Sequence, residues 1–188
     1  MYKLCKTEQS AARQRELEQG LLQVMSTSRY EDINVSGLCQ KMGIPRKSFY
    51  RYFSGKDGAL HALIDHTLLD FEQFSSILVG SSPANIHKEL RSFFEFWQQH
   101  RQLLDALERS SLSGVLVQRA ISQAQNEYAL PREQTRGDSR RLQSHAITFC
   151  ICGIMSMVTR WHRSGYAESP AELAQIAATL LTRPLIQN

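Results

Sequence analysis

Glycine and proline are scarce, with 10 and 5 in 188 residues, and no stretch is built from one or two residue types. That excludes collagen-like, linker-like and low-complexity chains. Cysteine is also sparse. Cys5, Cys39, Cys150 and Cys152 stand singly or as C-x-C, with no paired C-x-x-C and no histidine at zinc spacing. They read as reduced, buried, small apolar side chains, and neither a metal nor a cofactor is expected. The uncharged stretch 146–159 falls short of the roughly 20 apolar residues that a bilayer span requires, so it reads as a buried helix and no membrane partner is expected. Residues 1–14 carry charge but no apolar run, unlike a secretory signal peptide, so a cytoplasmic protein is expected.

Hydrophobic residues make up 42% and charged residues 21%, with a formal net charge of +4. A chain of this composition and length builds a real core, as one large domain or two small ones. Its mild basic excess matters only where it is concentrated. Period-2 alternation bounded by hairpin turns is missing, whereas 3.6-residue periodicity recurs along the whole chain, and the expected fold is all-α with about nine helices. The periodicity predicts helices over 7–28, 35–42, 46–53, 56–78, 85–99, 101–109, 112–125, 139–164 and 170–181. Leu17, Leu21 and Val24 mark the inner face of the first, with Arg13, Arg15, Glu16 and Glu18 elsewhere. Asn34 suits the N-cap of the second and Gly43 the position just past its end. The Gly/Ser/Pro cluster at 80–83 suggests three parts: 1–55, a connecting helix over 56–80, and 81–188. Residues 131–137, charged and punctuated by Pro and Gly, are the expected mobile loop.

The informative stretch is KMGIPRKSFYRYFSGK, residues 41–56. It holds five basic residues (Lys41, Arg46, Lys47, Arg51, Lys56) and no acidic one, whereas the signs mix elsewhere. Two short helices meeting at Gly43-Ile44-Pro45 form a helix-turn-helix. Phe49 and Phe53, four apart, must face the bundle, which turns Arg46, Lys47, Ser48, Tyr50, Arg51 and Tyr52 outward. Cations and hydroxyls at that spacing suit phosphates and base edges, and a two-turn helix fits the major groove. Asn34 and Ser36, at the start of the preceding helix, belong to the same candidate DNA-binding set. Lys56 opens the next helix, where an ammonium opposes the helix dipole unless a phosphate lies there.

These residues carry a resemblance. Tyr30-Glu31-Asp32-Ile33-Asn34-Val35 through Gly43-Ile44, then Ser48-Phe49-Tyr50-Arg51-Tyr52-Phe53, Lys56-Asp57 and Leu60, resembles the DNA-binding domain of the TetR family of bacterial transcriptional regulators over about the first 65 residues. The resemblance implies that 46–53 is the recognition helix, that Tyr50, Tyr52 and Lys56 hold phosphates, and that Arg46, Lys47 and Ser48 lie nearest the bases. Pro45 stands where a Ser or Thr usually caps the recognition helix, Asn34 replaces a Thr, and Cys39 and Met42 replace small alanines.

A reader of this size contacts too few base pairs alone, so a homodimer on two half-sites roughly 34 Å apart is expected. The dimer surface is expected on the last two helices. Ala146, Cys150, Gly153, Met157 and Trp161 form a small-residue seam on the first, and Leu173, Ile176, Ala177, Leu180 and Leu181 an apolar stripe on the second. The resemblance implies the same pairing, as a four-helix bundle. An effector, either a small molecule or a protein partner, is expected in the same domain, with Phe93, Trp97, His100, Leu104, Leu116, Phe149 and Trp161 as candidate contacts.

Enzyme chemistry finds no support. His61, His66, His87, His100, His145 and His162 are dispersed, and there is no H-E-x-x-H, nucleophile elbow, Walker loop or G-x-G-x-x-G. Glu89 with Glu95, or Asp105 with Glu108, read as solvated helix-surface carboxylates. Cys150 and Cys152 point about 200° apart on a helix and cannot bridge. The expected function is a DNA-binding transcriptional regulator, most often a repressor, with double-stranded DNA as partner. The alternative is an activator controlled by a protein partner, or a helical protein-interaction module.

Overall fold

A computed structural model describes residues 1–71, 85–127 and 137–182. The described residues form nine helices: α1 (Glu8–Met25), α2 (Val35–Lys41), α3 (Arg46–Tyr50), α4 (Lys56–Asp70), α5 (Ile86–Gln99), α6 (Arg101–Arg109), α7 (Ser113–Glu127), α8 (Gly137–Arg163) and α9 (Pro170–Thr182). One 3₁₀ turn (Tyr30–Asp32) precedes α2, and an isolated bridge joins Tyr2 to Phe53. The chain is therefore all-α, as its periodicity requires. The third helix stops at Tyr50 rather than Phe53, and Gly137, expected in a loop, opens α8. The stretch towards Leu78, the boundary at 80–83 and residues 131–136 lie outside the described residues.

Contacts divide the chain into two units. The first is Met1–Asp70 with Gln102–Gly114, and the second is Phe71–Arg101 with Val115–Asn188. The sequence expectation cut the chain at 55 and 80. The contacts instead keep α4 with the N-terminal helices, because Leu60, Leu63 and Ile64 are buried there, and they add α6 to the same unit.

The first unit is built on α1, which packs against α4 and α2, and α3 packs on α2. Leu17, Leu21, Met25, Leu38, Phe49, Phe53, Leu60, Leu63 and Ile64 are each at most 3% exposed. Full burial of such side chains stabilises by roughly 1.5–3 kcal/mol apiece. Met42 fits because Gly20 faces it: a Cβ at position 20 would lie 2.3 Å from the Met42 methyl. Glu18 corrects the sequence reading. It is 0% exposed, not on the outer face, since it shares the i, i+4, i+7, i+11 stripe with Gln14, Leu21 and Met25. His66 on α4 places Nδ1 2.9 Å from both of its carboxylate oxygens, a partner without which burying a carboxylate costs several kcal/mol. Outside this pair, Arg15 donates to both Asp70 oxygens at 2.9 and 2.8 Å.

The second unit packs α5 against α8 and α9. Phe93, Phe94 and Trp97 on α5 and Trp161 on α8 are at most 1% exposed, and Phe94 meets Trp161 edge to face at 5.8 Å. Gly165, at φ +70, closes α8: its N–H donates to the His162 carbonyl and the Tyr166 N–H to the Trp161 carbonyl, and the Tyr166 ring seals the turn 4.7 Å from Trp161. α9 opens with a capping box. Pro170 takes the first helical position, Ser169 Oγ accepts from the Glu172 N–H, and Glu172 Oε2 accepts from the Ser169 N–H at 2.8 Å.

Candidate nucleic-acid interface

The turn between α2 and α3 is set by chemistry the sequence advertises. Asn34 Oδ1 accepts from the Gly37 N–H at 2.8 Å and caps α2. Gly43, at φ +63, ends it. The Gly43 N–H donates to the Gln40 carbonyl and the Ile44 N–H to the Cys39 carbonyl, closing a Schellman turn that a side chain at 43 would strain. Pro45 is extended at ψ 141 and starts α3 without a side-chain cap. Phe49 at 0% and Phe53 at 1% exposure anchor α3 and the turn after it.

That anchoring leaves Arg46, Lys47, Tyr50 and Arg51 exposed, Ser48 half-buried, and Asn34 and Ser36 exposed at the start of α2. Neither Arg46, Lys47 nor Arg51 is paired with a carboxylate among the described residues. The Arg46 guanidinium lies 5.8 Å from the Tyr50 ring centroid, which steadies a long side chain without using its donors. Cys39, behind this surface, is 2% exposed. Burial pushes its thiol up, and the Arg46 charge pulls partly the other way. The cysteine therefore stays a protonated packing group at neutral pH.

Two expected side chains sit differently. Tyr52 was expected to face outward but is 8% exposed, because α3 has ended and residues 52–53 turn back into the unit. It lines, with Thr7, Ser10, Arg13 and Arg51, an open polar groove of about 460 Å³ beside the start of α1. Lys56 was expected to meet a phosphate. Its ammonium instead donates to the carbonyls of Tyr30 and Ile33, both at 2.8 Å, and of Glu31 at 3.3 Å, and lies 4.5 Å from the Tyr30 ring centroid. An ammonium has three donors, and three carbonyls receive them, so the conflict with the helix dipole is relieved inside the protein.

The clasp extends to Tyr30 and Asp57, and to two residues outside the motif, Arg109 and Ser110. The Tyr30 hydroxyl donates to Asp57 Oδ1 at 2.6 Å, and burial together with that carboxylate pushes the phenol above its ordinary range. The Tyr30 N–H donates to Ser110 Oγ at 2.9 Å, and Arg109 donates to the carbonyls of Met25 and Ser26. The end of α6 thus holds the loop that leads into α2. Ser110 lies 80 residues from Tyr30, so no local pattern could have paired them.

The remaining candidates separate into core and surface. Phe93, Trp97, Leu116 and Trp161 are buried in the second unit, and His100 packs on Phe96 with ring centroids 4.1 Å apart and Nδ1 2.8 Å from the Phe96 carbonyl. Leu104 is buried in the first unit, so it does not belong with them. Phe149, expected to line an effector cavity, is 76% exposed. It borders an apolar groove of about 210 Å³ between α8 and α9, with Cys150, Gly153, Met157, Ala177 and Leu180. Burial pushes the Cys150 thiol up. Of the expected dimer residues, Ile176 is also exposed at 44%. Leu173 is buried in its own unit at 6%, and Trp161 leaves the seam for the core, since the 3.6-residue period carries both positions round to the inner face. Among the described residues, α8 is buried along Ile147, Ile151, Ile154, Met155, Val158 and Trp161, and Arg141–Arg163 is long and apolar enough to cross a membrane by length and composition.

No family model and no curated protein matches the sequence. Solved structures do match the fold. The chain is similar to the dihydroxyacetone kinase operon activator DhaS at 16% identity, over 90% of this chain and 93% of that one, with a TM-score of 0.53. It is similar to the fatty acid degradation regulator FadR from Bacillus halodurans at 13% identity, over 98% and 100% of the two chains, with a TM-score of 0.57. A TetR-family transcriptional regulator from Streptomyces coelicolor aligns at 18% identity over 89% of this chain and 78% of that one, with a TM-score of 0.54. With its helix-turn-helix in the first unit and its long terminal helices in the second, the chain has the all-helical fold of these transcriptional regulators.

Proposed function

We propose that the protein is a DNA-binding transcriptional regulator that reads a palindromic operator as a homodimer and answers to an effector in its second unit. The observation that carries this reading is the helix-turn-helix surface: Arg46, Lys47 and Arg51 stand exposed without carboxylate partners, in a stretch that has no acidic residue. Arg46, Lys47 and Ser48 are placed to meet base edges, while Tyr50, Arg51, Asn34 and Ser36 are placed for phosphates. Lys56 serves by fixing the loop that positions α2. A protein that works on DNA in this way acts in the bacterial cytoplasm.

The homodimer would form on the exposed apolar face of α8 and α9, through Phe149, Cys150, Gly153, Met157, Ile176 and Leu180. Small residues there let helices approach closely. In the mechanism we favour, the effector shifts α4 and so changes the separation of the two recognition helices, lowering affinity for a fixed half-site spacing. Repression is the expected sign. The likeness to a protein described as an operon activator supports keeping activation as the second reading.

Selection from a random duplex pool with the purified protein tests the reading. An enriched inverted repeat, held 10³-fold or more above bulk DNA, is expected on the order-of-magnitude scale of specific regulators. Binding with no enriched sequence would overturn it.

A further inference from the structure

The segment ahead of α1 is stitched to the chain that leaves the recognition helix. The Lys3 N–H donates to the Tyr52 carbonyl at 3.0 Å, the Ser54 N–H donates to the Met1 carbonyl at 3.1 Å, and Tyr2 pairs antiparallel with Phe53. Tyr2 turns inward. Its hydroxyl donates to Asp65 Oδ2 at 2.8 Å, and its ring meets His66 edge-on at 5.6 Å. Further along, the Cys5 thiol donates to Gln14 Oε1.

Tyr2 is half-buried, while Lys3 beside it stays on the surface. Lys3 and Lys6 are both exposed, and neither has an ion-pair partner among the described residues. Residues 1–6 contain no acid. The backbone pairing sets Lys3 beside Tyr52, next in the chain to exposed Arg51, so the cationic face of α3 continues onto this arm. The fold also reserves space for it: a Cβ on Gly58, in the first turn of α4, would lie 2.4 Å from the Met1 carbonyl oxygen.

We propose that residues 1–6 are a DNA-contacting arm, with Lys3 and Lys6 meeting backbone phosphates of the duplex that α3 reads. The inference rests on the DNA-binding reading above and extends it to residues outside the helix-turn-helix. Lysine is a flexible point charge, suited to phosphates rather than to base edges, so the arm adds affinity without choosing sequence.

The test is the salt dependence of binding to the selected operator and to a random duplex, for the wild type, for Lys3→Ala/Lys6→Ala and for Gly58→Ala. The double variant is expected to flatten the plot of log affinity against log salt by about 0.9 per lysine per half-site, equally on both duplexes, with an unchanged far-UV circular dichroism spectrum. Gly58→Ala keeps both lysines and favours helix, but pushes Met1 away, and should lose part of the same slope. Lys3→Arg/Lys6→Arg should restore it. A wild type that binds steeply, with a double-alanine variant that matches it at every salt concentration, would overturn the arm and leave the regulator reading standing. A wild type that binds neither duplex at low salt would overturn the regulator reading itself, and the arm with it.

Discussion

The surface around α3 and the surface along α8 and α9 are both left open, by opposite chemistry. The first presents Arg46, Lys47 and Arg51 over a core of phenylalanines, and the second presents Phe149, Ile176, Leu180 and Leu181 over a core of aromatic and alanine side chains. Uncommitted charge costs little in water and binds through counterion release, so contacts made by the first surface weaken steeply with salt. Exposed apolar area binds by leaving water, so contacts made by the second persist in salt. Ionic strength therefore separates contacts made by the one surface from contacts made by the other.

The largest effect is expected from Phe149→Lys. A charge in the middle of the apolar face should weaken dimerisation by about 2–4 kcal/mol, the scale of an interface hot spot. Sedimentation should show monomers with an unchanged helical spectrum, whereas raising salt on the wild type should release DNA and leave the dimer intact. A Phe149→Lys protein that stays dimeric would move the interface elsewhere.

Lys56→Ala sharpens the comparison from the reader's side. If Lys56 holds carbonyls, its loss should destabilise the first unit by about 1.5–3 kcal/mol, as expected for hydrogen bonds from a charged group, and denaturant unfolding would show it. Were stability unchanged and only the salt slope reduced, the lysine would be a phosphate contact after all.

The smallest change is expected in the second unit. Ser169→Ala removes the cap of α9 and should lower Tm by about 2–4 °C. The Ser169 hydroxyl, with help from its backbone N–H, holds the Glu172 carboxyl below its ordinary value. A depressed carboxylate contributes stability that is present above its unfolded value and lost as pH falls through the folded one. The Tm gap between wild type and variant should therefore narrow on acidification below about pH 4, which a calorimetric series would reveal.

Much of the fold was legible because helices are local. Asn34 and Gly43 act within one turn of their own position, and Phe49 and Phe53 share a face because of the helical period. The all-α class, the helix-turn-helix and its exposed cations follow from such short-range rules. Glu18 was read as solvated and Lys56 as open to a phosphate because partners that arrive from far along the chain leave no mark in local spacing, whereas Tyr52 was read as outward because α3 was expected to run on to Phe53. His66 is 48 residues from Glu18, and the carbonyls around Lys56 are 23 to 26 residues away.

Sequence alone was enough to establish that the chain is helical, that Asn34 and Gly43 bound α2, which residues form a cationic stretch and that Phe49 faces inward, since each depends on neighbours within a few residues. Long-range packing decided that Lys56 turns onto carbonyls, that Glu18 is buried against His66, that Leu104 is buried in the first unit, and that residues 1–3 pair with the chain at 52–54. Those outcomes depend on which distant groups share a buried space, and desolvation penalises every polar group that arrives there without a partner.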